Sequence, residues 1–144
     1  MSHAVSHILE ECRMVLPGIL ALFGFQWIAF FNQPFSDVSR LNQSFHLAAT
    51  AVVAVAAALL MTPAAYHRTA GGEVLSKQFI SLSTRLILAG MFLLGVGVAI
   101  DFFVISSFVV PSRAICIGLA GMIWLVLLGL WFGCPIIGAR HGPR

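Results

Sequence analysis

Charged side chains are scarce in this sequence. Only 9% of the 144 residues are Asp, Glu, Lys or Arg, whereas 60% are hydrophobic, and the mean hydropathy is +1.00. A soluble domain carries roughly 25% charged residues, so these few charges cannot cover a water-exposed surface. Most of the surface must therefore face lipid or other protein, and the length favours a single domain over residues 1–144.

Clustered ligands and clustered positive charge are also missing. The cysteines Cys12, Cys116 and Cys134 have neither CxxC nor metal-site spacing, so no disulfide framework or zinc site is expected. The eight basic residues are scattered singly, which leaves no phosphate-binding patch and argues against nucleic acid as a partner.

Long apolar runs dominate instead. Four stretches approach or exceed the roughly 20 residues that a helix needs to cross the hydrocarbon core. They cover residues 14–31, 41–62, 79–105 and 114–133. The runs are continuous, unlike the short alternating strands of a membrane barrel. The sequence therefore predicts an all-α protein with four transmembrane helices.

The positions of the basic residues predict the orientation in the membrane. Six lie in the N-terminus, the 63–78 link, the C-terminus and the adjoining helix ends: Arg13, Arg68, Lys77, Arg85, Arg140 and Arg144. Only Arg40 and Arg113 lie in the other two links. This excess places both termini and the 63–78 link on the cytoplasmic side.

Two segments beside the spans are expected to be separate interfacial helices. Apolar residues recur at helical spacing in residues 1–12, which predicts an amphipathic helix that ends before Pro17. Thr62-Pro63 has the character of a helix N-cap followed by proline at the first helical position. The second span is therefore expected to break there, before an interfacial segment with Tyr66, His67 and Arg68.

Polar residues inside the spans are the candidate site, because a charge in lipid costs a few kcal/mol. Asp101 shares a helical face with Gly90 and Gly97, so it should point into the bundle. His46, in a stripe with Asn42 and Thr50, and Gln26 occupy comparable depths in their own spans. We therefore expect one polar cluster, which contains Gln26, His46 and Asp101.

Arginines next to the spans suggest ion pairs. Arg113, at the start of the fourth span, is a candidate salt-bridge partner of Asp101. A second set of ion pairs is expected at the cytoplasmic end, formed by Glu10, Glu11, Arg13 and Arg85. For Glu11 and Arg85 the alternative is interfacial snorkelling, in which each side chain reaches the headgroups without a protein partner.

The polar cluster has two interpretations. His46 and Asp101 can both change charge, so the cluster can carry a proton or cation. Alternatively, it is structural and holds the helices together. Only His46 among the histidines lies within a span, and the sequence contains neither a Glu-x-x-His motif nor a nucleophile elbow. No catalytic residue, cofactor or metal is therefore expected.

Small residues four positions apart predict close helix contacts. Such pairs occur on the fourth span, and alanines crowd the second. The glycines expected to pack against neighbouring helices are Gly90, Gly97, Gly118, Gly129 and Gly133.

Two stretches carry a family resemblance: ECRMVLPGILALFGFQ (11–26) and LLMTPAAYHR (59–68). With the four-span layout, they resemble an uncharacterised bacterial family of small membrane proteins often labelled sodium:proton antiporters. The resemblance implies a location in the bacterial inner membrane. It draws attention to the residues within those stretches, namely Glu11, Arg13, Gln26, His67 and Arg68. The third and fourth spans match only in hydrophobic character, so the candidacy of Asp101 comes from the residue-level argument.

The leading hypothesis is a non-enzymatic bundle that acts by helix association, as an accessory subunit or a homo-oligomer. Small-residue faces and the minimal extramembrane mass motivate it. The alternative is proton-coupled cation transport through the polar cluster. The sequence has no repeat of the kind that transporters use, so transport would need an oligomer. The expected partners are the lipid bilayer and other membrane subunits or copies of the chain.

Overall fold

A computed structural model describes residues 2–31, 39–69 and 77–133. Within these ranges the chain forms four α-helices: α1 (Ser2–Phe31), α2 (Arg40–Thr69), α3 (Lys77–Val109) and α4 (Arg113–Leu128). A five-residue π-helical segment, Gly129–Gly133, follows α4. The described residues contain no strand, so the predicted all-α class is confirmed for them.

Three of the described helices are long and apolar enough to cross a membrane. The qualifying segments, Arg40–Tyr66, Phe79–Val109 and Arg113–Gly133, contain 27, 31 and 21 residues. At 1.5 Å per residue these segments extend about 40, 46 and 31 Å, so each is at least as long as the roughly 30 Å hydrocarbon core is thick. The first predicted span corresponds to a shorter apolar stretch, Met14–Ile28, within α1.

Prolines lie inside two helices without ending them. Pro17 is within α1 and Pro63 within α2. The predictions of a separate N-terminal surface helix and of a break at Thr62-Pro63 are therefore wrong. A membrane helix tolerates proline when its surroundings compensate for the missing N–H. Here Pro63 is fully buried in the bundle, so packing against the neighbouring helices supports this turn.

Glycine allows α3 to approach α2 closely. A Cβ added at Gly97 would lie 2.6 Å from Val53 Cγ2, and one added at Gly90 would lie 2.7 Å from Leu60 Cγ. Both distances are shorter than real carbon contacts. The backbone of α3 therefore occupies space that any larger residue would need, as expected for small residues at a membrane helix interface.

The apolar core lies beside these contacts. Its buried members come from α1, α2 and α3 and are Ile19, Val53, Ala56, Leu60 and Leu94. On α1 the buried residues Ile19 and Gln26 are seven positions apart, which places them on one face of the helix. That face turns toward the other helices and brings Gln26 into the interior.

The helix α4 is less covered than its neighbours. Only 11% of its apolar window is buried, compared with 33% for α2 and for α3. Its buried residues are Cys116 and Ala120. Three of the expected packing glycines, Gly118, Gly129 and Gly133, would have nothing within 4 Å of an added Cβ. These glycines therefore lie outside the helix contacts of the described chain.

Candidate functional site

The polar cluster joins three helices in the bundle interior. His46 Nδ1 lies 2.9 Å from Asp101 Oδ1, and His46 Nε2 lies 3.0 Å from the backbone carbonyl oxygen of Gln26. The side-chain amide of Gln26 donates through Nε2 to Asp101 Oδ2. All three residues are at least nine-tenths buried. The cluster therefore connects α1, α2 and α3 without contact with bulk solvent.

Helix periodicity positions each member of the cluster. His46 lies on the same face of α2 as the buried residues Ala49 and Val53. Asp101 follows Gly97 by four residues on α3, so it continues the face that contacts α2. The glycine contacts bring these two faces together, and the imidazole and carboxylate then meet at hydrogen-bond distance.

The hydrogen-bond pattern determines how many protons the cluster holds. A backbone carbonyl only accepts, so His46 Nε2 carries a hydrogen. The 2.9 Å contact between His46 Nδ1 and Asp101 Oδ1 then needs one more hydrogen. That hydrogen lies on the ring, which gives an imidazolium and a carboxylate, or on the carboxyl, which gives a neutral pair. Both forms have no net charge, as an apolar environment favours.

One atom of the cluster has no hydrogen-bond partner in the described part of the chain. This atom is Oε1 of Gln26, which is buried. An unsatisfied buried acceptor costs about 1–3 kcal/mol. It is therefore the position at which the cluster can accept a further hydrogen-bond donor.

Two further polar contacts accompany the cluster. Asn42 Nδ2 on α2 donates to Ser107 Oγ on α3 at 2.8 Å, and the Thr50 hydroxyl donates to the His46 carbonyl at 2.9 Å. Asn42 and Thr50 belong to the stripe noted in the sequence, whereas Ser107 was not singled out. Its only sequence signal was its place in a pair of adjacent serines near the end of the third span.

The predicted salt bridge between Arg113 and Asp101 is wrong. The carboxylate of Asp101 bonds to Gln26 and His46, and Arg113 is exposed at the first residue of α4. The physical reason is the length of α3, which continues to Val109, eight residues past Asp101. Eight residues of helix span about 12 Å, which separates the two side chains in depth.

The ion pairs expected at the other end of the bundle stay predictions. Glu10 and Arg85 are both exposed, and the side chains of Glu11 and Arg13 lie outside the described residues. Neither pairing nor snorkelling is established for them.

The expected interfacial residues lie near the end of α2. Tyr66 and Arg68 are exposed, and the side chain of His67 lies outside the described residues. The ring of Tyr66 stacks on Phe79 of α3, with centroids 5.2 Å apart. This contact connects the C-terminal end of α2 to the N-terminal end of α3.

Metal ligands do not gather in the described chain. Across residues 2–31, 39–69 and 77–133, no group of three His, Cys, Asp or Glu side chains could hold a metal ion. The polar cluster contains two side chains of these types, His46 and Asp101, and its third member is the amide of Gln26.

Apolar helices of this length around a buried His–Asp–Gln cluster define an all-helical membrane protein. The chain belongs to DUF6328, a family of unknown function, whose model matches residues 1–135. Comparisons with curated proteins and with solved structures give no match. Membership in this family does not indicate a biochemical activity, so the antiporter activity that the resemblance implied stays a proposal.

Proposed function

We propose that the protein is a four-span bundle of the bacterial inner membrane that acts by association with other membrane helices. The depth of Gln26 supports α1 as the fourth span, because Gln26 bonds to His46 and Asp101 within the spans of α2 and α3. The 30 residues of α1 extend about 45 Å, enough to cross the hydrocarbon. The excess of basic residues supports cytoplasmic termini.

The observation that carries this function is the uncovered surface of α4. The outer face of α4 and the π-helical segment that follows it comprises the exposed residues Ala114, Gly118, Met122, Leu125 and Gly129. Exposed glycines leave room for the backbone of a second helix, which gains packing contacts that lipid tails cannot reproduce. The occupant is another subunit, for which this chain is an accessory component, or a second copy.

Adding bulk to the outer face of α4 tests this function. The double variant Gly118→Leu/Gly129→Leu should release the chain from its assembly, because both leucines occupy the space of the partner helix. Native mass spectrometry of gently solubilised membranes measures the stoichiometry and identifies the partners. The matched control is Ala89→Leu, which adds bulk at an exposed alanine of α3. A monomeric parent protein, or equal assembly of the double variant and the parent, would contradict the proposal.

A second candidate function, proton-coupled cation transport in an oligomer, is favoured by the polar cluster. The His46–Asp101 pair holds a shareable proton in the membrane interior, and Gln26 Oε1 offers an unsatisfied acceptor beside it. Intramembrane ionisable groups that are paired in this way occur in proton relays. The cluster would then be the coupling site, and neighbouring copies would complete the ion path.

Flux measurements on purified protein in proteoliposomes test this second function. Asp101→Asn preserves the side-chain shape but removes the carboxyl proton site, so cation-dependent proton movement should fall to the level of empty vesicles. The matched control is Ser107→Ala, which removes a polar contact of α3 outside the cluster and should retain most flux. If the parent protein moves no protons while its assembly is intact, the cluster is structural.

A further inference from the structure

An apolar groove lies on the side of the bundle. Its volume is about 550 Å³, and residues of α2, α3 and α4 line it, among them Phe45, Ile100, Phe103, Ile117, Gly121 and Trp124. Every lining residue belongs to a segment long and apolar enough to cross the membrane. The groove therefore opens toward hydrocarbon, and a lipid chain can enter it without leaving the membrane.

Two exposed arginines stand at one end of this groove. Arg40 is the first residue of α2 and Arg113 the first residue of α4. The Asn42–Ser107 hydrogen bond places the start of α2 beside the end of α3. The contact of Cys116 Sγ with the Val110 carbonyl, at 3.6 Å, places the start of α4 there as well. Both guanidinium groups therefore belong to the same end of the bundle.

Neither arginine is neutralised within the described chain. Both residues are exposed, and neither forms an ion pair with another described residue. In the sequence, the links at this end, 32–39 and 110–112, add a single acid, Asp37. Together with Arg40 and Arg113, this leaves the end of the bundle with a net positive charge.

The spacing between the arginines and the groove matches an amphipathic ligand. Arg40 precedes Phe45 by five residues and Arg113 precedes Ile117 by four, which is about 6–7.5 Å along the helix axis. From Ile117 to Trp124 the groove continues for about 10 Å toward the membrane centre. Arginine side chains extend toward the headgroups from the ends of membrane helices. Positive charge therefore lies at headgroup level at the end of the bundle from which the groove extends.

We propose that Arg40, Arg113 and the groove form a binding site for an anionic phospholipid. The lipid phosphate contacts the two guanidinium groups, whose planar forks suit phosphate oxygens. One acyl chain lies in the groove against Phe45, Ile117 and Trp124. This site is separate from the polar cluster and does not depend on either proposed function.

Lipid discs of defined composition test the site. The full-length protein is placed in discs that contain equal amounts of phosphatidylglycerol and phosphatidylcholine, and the lipids that stay bound are counted by native mass spectrometry. The parent protein should retain phosphatidylglycerol preferentially. A basic residue near an anionic membrane surface contributes about 1 kcal/mol, so Arg40→Gln/Arg113→Gln should weaken this preference about 25-fold. The matched control Arg85→Gln removes an exposed arginine of α3 away from the groove and should weaken the preference far less than the double variant.

A second variant tests the groove independently of charge. A Cβ at Gly121 meets nothing within 4 Å, so Gly121→Leu fills the groove without disturbing the helix contacts. This variant should reduce the retention of both lipids by several-fold. Absence of a phosphatidylglycerol preference in the parent protein would overturn the proposal, as would an equal loss in Arg85→Gln or undiminished retention in Gly121→Leu. Displacement of the lipid by millimolar inorganic phosphate would indicate a site for a soluble anion and would also overturn it.

Discussion

The α2–α3 interface and the outer face of α4 use small residues in opposite ways. In the interface, Gly90 and Gly97 are covered by Leu60 and Val53 of the neighbouring helix. On α4 and the π-helical segment after it, a Cβ added at Gly118, Gly129 or Gly133 would meet nothing within 4 Å. Lipid tails are as apolar as the side chains, so helices associate in membranes through close packing and interhelical hydrogen bonds. The comparison shows that a glycine pattern permits a close contact, whereas the partner surface determines whether it forms.

The interface also contains polar contacts that the α4 face lacks. The His46–Asp101 pair and the Asn42–Ser107 hydrogen bond both connect α2 to α3. The outer face of α4 consists of glycine, alanine, methionine and leucine. If the comparison is right, substitutions in the interface should destabilise the isolated chain, and equivalent substitutions on α4 should not.

The largest loss of stability is expected when the buried His46–Asp101 pair is broken. Removing one partner leaves the other unpaired in an apolar environment, so His46→Ala should lower the free energy of unfolding by about 3 kcal/mol. The double variant His46→Ala/Asp101→Ala should lose less than the sum of the single variants, by about 1–3 kcal/mol, because neither the imidazole nor the carboxylate is left buried without the other. Reversible unfolding in mixed micelles measures both quantities. Strict additivity of the single variants would show that the pair contributes no coupling.

An intermediate effect on stability is expected when a glycine is replaced by leucine in the α2–α3 interface, and the same replacement on α4 gives the comparison. Gly97→Leu forces side-chain atoms against Val53 and the Ala49 carbonyl oxygen, which lies 3.4 Å from an added Cβ. Overpacking of this kind costs about 1–3 kcal/mol. Gly118→Leu should leave the free energy of unfolding of the monomer within about 0.5 kcal/mol of the parent. Equal destabilisation by the two variants, measured in dilute detergent, would remove the distinction between the regions.

The smallest effect is expected near the end of the interface. Ser107→Ala removes the interhelical hydrogen bond from Asn42, and such bonds contribute about 0.6 kcal/mol on average in membrane bundles. The control Ser44→Ala removes only a bond to the Arg40 carbonyl within α2 and should cost less. The same unfolding assay compares them. A larger loss in Ser44→Ala would indicate that local helix effects dominate at this end.

The helices could largely be predicted from hydropathy, but their ends could not. The second span was expected over 41–62, whereas α2 extends from Arg40 to Thr69. Hydropathy marks the part of a helix that meets hydrocarbon, and a helix can continue into more polar residues beyond it. Pro63 was misleading because proline signals a helix start in water, whereas a packed membrane helix can accommodate it.

The polar cluster could be anticipated only in part. Helix periodicity and depth pointed to Gln26, His46 and Asp101, and the structure brings these three side chains together. The same reasoning paired Asp101 with Arg113, because the sequence does not show that α3 continues eight residues past Asp101. The contact from His46 to the backbone carbonyl of Gln26 was not predictable, since no residue pattern reveals which carbonyl faces a neighbouring helix.

That backbone contact separates two roles of position 26. His46 Nε2 reaches a main-chain oxygen of α1, which is present whatever side chain residue 26 carries. A replacement of Gln26 can therefore deprive Asp101 of its amide donor and still leave the imidazole attached to the first helix. Variants at position 26 therefore test the role of the amide at the Asp101 carboxylate separately from the contact between α1 and α2.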